Sequence, residues 1–320
     1  MTERRPSPEG VSRAAKRVAS HVTRTPLLPL DWEGARVWIK AECLQQGGSF
    51  KLRGATNRLL QLSAAERVRG VVAFSSGNHA QGVAIAAKRL GIAATIVMPA
   101  DAPSVKVEAT RAAGAEIVFY DRESESREEI GARLAAEKGA ALVPSFDDVD
   151  VIEGQGSVGV EIAEQLGTMP DKVLVPCGGG GLAGGSALAL PQAQIVTVEP
   201  EGWDDMARSI GAGEPVPVGP NPPSTRCDAL QTKLVSSLTL GALRGAGAYG
   251  VSVTEEEIEA AMAFAARSLR LVAEPGGAVA LAALLAGKAG AVSERTVVVV
   301  SGGNVDPALY ARILADQAAR

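Results

Sequence analysis

Aromatic side chains are scarce in this chain: Phe, Trp and Tyr together make up 3% of its 320 residues. A groove that stacks successive bases needs aromatic faces, so their scarcity argues against single-stranded nucleic-acid binding. Concentrated positive charge is missing as well. Lys and Arg number 32 against 36 Asp and Glu, for a net charge of −4, and they are scattered. That leaves no footprint for nucleic acid or for an anionic membrane. Only three cysteines are present, Cys43, Cys177 and Cys227, odd in number and far apart, which argues against a disulfide framework. Two histidines, His21 and His79, are too few for a Cys/His zinc site. The longest aliphatic run, Thr296 to Val300, has strand length and cannot span a bilayer. Residues 1–10 are polar with no apolar h-region, so no secretory signal is expected and a cytoplasmic location is.

What is present is a soluble, alanine- and glycine-rich composition with 46% hydrophobic and 21% charged residues, enough for a sizeable core. The length suits one large or two modest domains. Residues 1–10 read as a disordered tail, Ser12 to Val22 as a helix, and Arg36 to Glu42 as a strand. A helix is expected from Leu52 to Leu62. Short apolar strands then alternate with helices: Val71–Phe74, Thr95–Met98, Glu116–Phe119, Lys172–Pro176, Gln194–Val198 and Thr296–Val300. Between them, helices are expected over 80–90, 104–113, 126–137, 156–166 and 182–190. Thr254 with Glu257 makes a capping box that opens a long helix to Leu269. Continuous apolar strands alternating with helices define an α/β fold of parallel sheets covered on both faces. The tight unit over 66–144 is expected as a small α/β domain inserted in a larger one made of 1–65 and 145–320.

Four stretches carry candidate chemistry. In Gly47-Gly48-Ser49-Phe50-Lys51-Leu52-Arg53-Gly54-Ala55, a lysine follows a flexible glycine pair at a helix edge. It is either a solvated surface charge or an amine held for chemistry. Cys177-Gly178-Gly179-Gly180-Gly181-Leu182 lies between a strand and a helix. Four glycines let the backbone approach an anion, with helix N–H groups pointing at it. The same segment fits G-x-G-x-x-G at Gly179, Gly181 and Gly184, with Glu199 after the next strand. An NAD(P)-dependent Rossmann oxidoreductase is therefore the alternative from another class. Ser75-Ser76-Gly77-Asn78-His79 ends a strand and opens a helix. It suits a carboxylate, or simply caps the helix. Glu199-Pro200-Glu201-Gly202-Trp203-Asp204-Asp205 is either a helix cap or a set of oxygen ligands for a hard cation.

Together, Ser49 to Ala55, Ser75 to Gly82, the tetraglycine, Asp147-Asp148 with Val151 to Gly156, and Ser301-Gly302-Gly303-Asn304 resemble the fold-type-II pyridoxal-phosphate enzymes. The serine/threonine dehydratase and serine racemase group is the nearest pattern. The resemblance implies a two-domain α/β fold, pyridoxal 5'-phosphate as cofactor, and a homodimer. It implies dehydration and deamination of L-serine, L-threonine or another small 3-hydroxy amino acid to a 2-oxo acid and ammonia. Substrates such as 3-hydroxyaspartate or bulkier 3-hydroxy amino acids stay open. Lys51 resembles the Schiff-base lysine and Phe50 its neighbour beside the cofactor. Asn78 resembles the partner of the cofactor's phenolic oxygen, and Gly178, Gly179, Gly180, Gly181 and Leu182 the phosphate cradle. Ser301 resembles the residue facing the pyridine nitrogen. Ser75, Ser76, Gly77 and His79 resemble the substrate-carboxylate loop, and Arg127 a substrate-side arginine. Glu199, Trp203 through its carbonyl, and Asp205 align with divalent-cation ligands, Mg²⁺ first and Ca²⁺ or Mn²⁺ as alternatives. Ser76 stands where dedicated threonine dehydratases usually carry alanine. As in eukaryotic serine racemases, it is then a second catalytic residue facing Lys51, and racemisation is expected beside dehydration.

Overall fold

A computed structural model describes residues 4–75, 77–102 and 104–318. Ser76, a candidate catalytic residue, lies outside the described residues. Two sheets hold the described strands. In chain order these are β1 (Leu27–Trp32), β2 (Ala35–Ala41), β3 (Val71–Phe74), β4 (Ala94–Pro99) and β5 (Glu116–Tyr120), then β6 (Ala141–Leu142), β7 (Lys172–Pro176), β8 (Gln194–Pro200), β9 (Tyr249–Val253) and β10 (Thr296–Val300). The larger sheet runs β1-β2-β10-β7-β8-β9 and the smaller β5-β4-β3-β6. Every pairing is parallel except the β1–β2 hairpin at one edge.

The unbroken apolar run of β10 follows from burial on both faces. Val298 and Val300 point into one cluster with Ile39, Leu174 and Val196. Val297 and Val299 point into another with Val173, Val175 and Ile195. Register confirms the alternation, because Val298 lies opposite both Ile39 and Leu174. The smaller sheet repeats the scheme, with Val71 and Ala73 on one side and Val72 on the other. Helix Pro275–Leu285 has no polar face because it is enclosed on all sides; every residue from Pro275 to Leu284 is buried. A helix inside a large core needs no amphipathic stripe.

The expected tail is partly structure. A helix spans Pro8–Val18, with Ser7 as N-cap and Pro8 at its first turn, where a fixed φ and a missing N–H cost nothing. Gly10 packs so close to the Glu153 carboxylate that a Cβ would strike it. The capping box at Thr254 forms with both of its hydrogen bonds. Its α-helix stops at Phe264, and a π-turn over Ala265–Leu269 ends at Arg270, held at φ 59°. The three cysteines are buried and free. Among the described residues no helix is long and apolar enough to cross a membrane.

The segment over 66–144 carries the smaller sheet. Helix Lys51–Leu60, however, buries Leu52, Ala55 and Leu59 in that sheet's cluster. Its other side meets helix Val149–Gln155, where Gly54 and Gly154 allow close approach and Gln155 Oε1 accepts from Gly54 N at 3.1 Å. Arg53, fully buried, anchors the same helix through Glu42 at 2.8 Å and Glu161 at 2.7 Å, and Glu161 also takes Lys40 Nζ at 2.6 Å. Losing Arg53 would leave the buried Glu42 carboxylate without its cation and Glu161 with Lys40 alone, a change worth about 3–5 kcal/mol in buried pairs.

Candidate active site

In parallel α/β sheets, ligands collect beyond the carboxyl ends of the strands. Here both sheets contribute such ends to one pocket. Pro176 ends β7 and Gly178 to Gly181 follow it, Ser301 follows β10, Asn78 follows β3, and Ser145 and Phe146 follow β6. Phe50 and Lys51 complete its floor.

Lys51 opens helix Lys51–Leu60 after two glycines held at φ 78° and 72°. Only glycine is comfortable there, and a Cβ on Gly48 would also collide with Asn304. Asn304 Nδ2 donates to Gly47 O at 2.8 Å and to Asn78 Oδ1 at 2.8 Å, while Ser49 bridges Gly302 and Phe50 N donates to Ser301 O at 3.2 Å. Three distant motifs are thus stitched into one wall. The Lys51 ammonium donates to Ser145 O at 2.9 Å and stands 5.2 Å from the Phe50 ring centre. Its enclosure pulls the pKa down from 10.5 to about 8, since burial disfavours the charged form. Gly82 lets helix Asn78–Leu90 approach, as a Cβ there would sit 3.0 Å from the Lys51 carbonyl carbon.

Opposite stands the tetraglycine turn into helix Gly181–Ala189. Gly180 is left-handed at φ 84°, and a Cβ on it would meet Met206 and Thr239. A Cβ on Gly179 would drive into the Phe146 ring. Thr239 Oγ1 fixes the turn by donating to Gly179 O at 2.8 Å. The first N–H groups of the helix have no intrahelical acceptor and carry the positive end of its dipole. Side-chain-free backbone, unspent N–H groups and an amine across the same pocket fit a phosphate-bearing carbonyl compound such as pyridoxal phosphate. Cys177, just before the turn, is buried and pushed far above its ordinary pKa by desolvation, so it is no nucleophile.

The remaining candidates divide. Ser75 and Gly77 lie at the entrance to helix Asn78–Leu90, where Gly77 N donates to Ser75 Oγ at 3.2 Å. His79 is buried beneath this loop, and its Nε2 donates to Val143 O at 2.8 Å. Desolvation, and then the Lys51 charge, lower its pKa to about 3, so it is neutral. Arg127 is not brought to the pocket; it is half-buried, pairs with Glu128 at 2.8 Å and lies over the Phe74 ring. Glu199 is fully buried, with both oxygens accepting at 2.9 Å from the N–H groups of Met206 and Ala207. A carboxylate spent on a helix N-terminus is not presented to a ribose. Beside it Asp205 is buried with both oxygens unpartnered, and desolvation raises its pKa to about 7. Trp203 is anchored by its indole N–H to Pro223 O at 2.8 Å. Among the described residues no group of three His, Cys, Asp or Glu gathers to hold a metal.

Sequence reasoning missed Glu274. It caps helix Pro275–Leu285 and lines the pocket. It accepts from Asn78 Nδ2 at 2.5 Å, and burial lifts its pKa to about 7. Its signal was the run Glu274-Pro275-Gly276-Gly277, an acid before a helix-opening proline and two glycines. Gly277 is obligatory, because a Cβ there would overlap the Gly302 carbonyl.

A depressed lysine amine facing a glycine anion cradle, between the carboxyl ends of two parallel sheets, defines a cofactor enzyme of amino-acid chemistry. The chain belongs to the pyridoxal-phosphate dependent enzyme family, whose model matches residues 18–303. It is 44% identical to an L-threo-3-hydroxyaspartate ammonia-lyase of Pseudomonas over 95% of this chain and 97% of that protein. It is 42% identical to the Saccharomyces cerevisiae enzyme of the same name, over 94% of each chain. Maize serine racemase superposes with a TM-score of 0.90 at 35% identity, over 99% of both chains.

Proposed function

We propose that this protein is a pyridoxal-phosphate-dependent ammonia-lyase that dehydrates a small 3-hydroxy amino acid to a 2-oxo acid and ammonia. The observation that carries the reading is Lys51, an amine with a pKa of about 8 across the pocket from the tetraglycine turn. Bound between them, the cofactor supplies an electron sink for the carbon that loses its proton. Lys51 Nζ removes that α-proton; with a pKa near 8, a useful share of it is free base at neutral pH. The tetraglycine N–H groups would hold the phosphate, and the N-terminus of helix Asn78–Leu90 would hold the substrate α-carboxylate. Ser301 and Asn78, which line the same pocket, would hold the cofactor's ring, Ser301 supplying a neutral hydroxyl to its pyridine nitrogen. Purified protein carrying a visible cofactor band, lost in Lys51→Ala, and forming 2-oxo acid from L-serine, L-threonine or L-threo-3-hydroxyaspartate is the expected result. Colourless protein that takes up no pyridoxal phosphate would sink it.

Racemisation is the second reading, supported by the serine racemase match and by Ser76, whose assignment rests on its place in the chain. Ser76→Ala should abolish D-serine formation and spare 2-oxo acid formation. For the cation, the support is the unpartnered Asp205 carboxylate beside Glu199, which Mg²⁺ would satisfy with the Trp203 carbonyl and water. The ion would hold the turn after β8, away from the chemistry, and act as an activator. A homodimer is the proposed assembly; Leu44 and Val272, both exposed, supply apolar surface for it, and sedimentation velocity tests it.

A further inference from the structure

Lys106 stands on helix Ser104–Ala112, on the smaller sheet's side of the pocket, and its ammonium pairs with Asp228. Asp228 opens a single 3-10 turn whose next residues, Ala229 and Leu230, line the pocket facing the tetraglycine. On its other side Lys106 Nζ lies 3.6 Å from where a Cβ on Gly77 would stand. The cation therefore sits between the carboxylate loop and the opposite lip of the pocket. Its side chain is 13% exposed, against 44% for Asp228. Of the two partners, the carboxylate is the one water can receive.

A substrate with a second carboxylate meets a problem here. Glu274 already lines the pocket, so a second anion needs a cation to face it. Lys51 is committed to the α-carbon, and Arg127 is paired with Glu128 away from the pocket lining. We propose that Lys106 recognises the side-chain carboxylate of a 3-hydroxy dicarboxylic amino acid, exchanging Asp228 for the substrate. This rests on the ammonia-lyase reading and names its substrate class. The exchange keeps Lys106 paired throughout and returns a half-exposed carboxylate to water, a small loss for a surface-type pair. L-Serine has no group at that position and leaves the Lys106–Asp228 pair in place. Lys106 thus selects among substrates without taking part in proton transfer.

The test uses the cofactor-loaded enzyme with L-threo-3-hydroxyaspartate and L-serine, and calorimetry with succinate, a dicarboxylate that cannot react. Lys106→Met should raise KM for the hydroxyaspartate about 10- to 100-fold, the worth of one charged hydrogen bond, with kcat/KM for L-serine within about threefold. Lys106→Arg should recover most of the loss, and Asp228→Asn should tighten succinate. An equal loss on both substrates would make Lys106 a structural strut and overturn the proposal, as would an unchanged hydroxyaspartate KM. If the wild type turns over neither substrate, the lyase reading fails by itself. Succinate affinity in wild type and Lys106→Met then still decides the role of Lys106, equal affinities refuting it.

Discussion

Replacing Lys51 with methionine should make the cofactor-free protein more stable, by an amount that depends on pH. The folded chain depresses this lysine from 10.5 to about 8 by enclosing its ammonium. A lysine with a lowered folded pKa binds fewer protons folded than unfolded. Its penalty is therefore complete below about pH 8 and is relieved as pH rises toward 10.5. The full gap corresponds to roughly 3 kcal/mol. Methionine removes it but forfeits the hydrogen bond to the Ser145 carbonyl, worth about 1–1.5 kcal/mol. The variant should thus gain about 2 kcal/mol at pH 6.5. By pH 9.5 the remaining penalty is about 1.4 kcal/mol, the hydrogen-bond loss cancels it, and the two proteins should be equally stable. Urea unfolding of both cofactor-free proteins at the two pH values measures this directly. A stability difference that does not change with pH would refute the burial argument, and with it the origin of a free Lys51 amine at neutral pH.

Other outcomes follow from the same geometry. Gly179→Val should abolish cofactor retention, because its side chain must displace Phe146 from the cradle; the visible band after dialysis reports it. Glu274 has a folded pKa of about 7, raised from 4.5 by burial. The stability it lends is present at low pH and lost as pH rises through 7, so Glu274→Gln should flatten the stability profile between pH 5 and 8. Asp205→Asn should remove any rise in Tm with millimolar Mg²⁺, whereas EDTA should lower Tm of the wild type alone. Arg53→Met should cost about 3–5 kcal/mol in urea unfolding, since Glu42 and Glu161 lose their guanidinium.

What the sequence made legible was chemistry held in short contiguous runs. Gly178 to Gly181 announced a tight turn into a helix, and a Cβ on Gly179 or Gly180 would indeed collide with its neighbours. The strand Thr296–Val300 was readable because burial on both faces leaves an uninterrupted aliphatic run. Helix Pro275–Leu285 was not, because enclosure on all sides erases the period that marks a helix. Glu274 was hidden for the same reason, being the cap of an element with no signature. His79 shows a different limit: motif position placed it in the substrate loop, but its ring turns inward to Val143. The start of the first helix was missed because residues 1–10 are polar and read as a tail. Pro8 in fact opens that helix, and Gly10 is demanded by Glu153.

The amide of Asn304 grips Gly47 across 257 residues of sequence, and β10 supplies the parallel partner of β2. A nascent chain therefore exposes the lysine segment long before its wall exists. At roughly 5–20 residues per second, the wait is about 10 to 50 s. During that time the edge of β2 that β10 will cover is unpaired. Assembly of the cofactor pocket is thus a late event in biosynthesis, and a ribosome stalled before Ser301 displays a chain unable to build it.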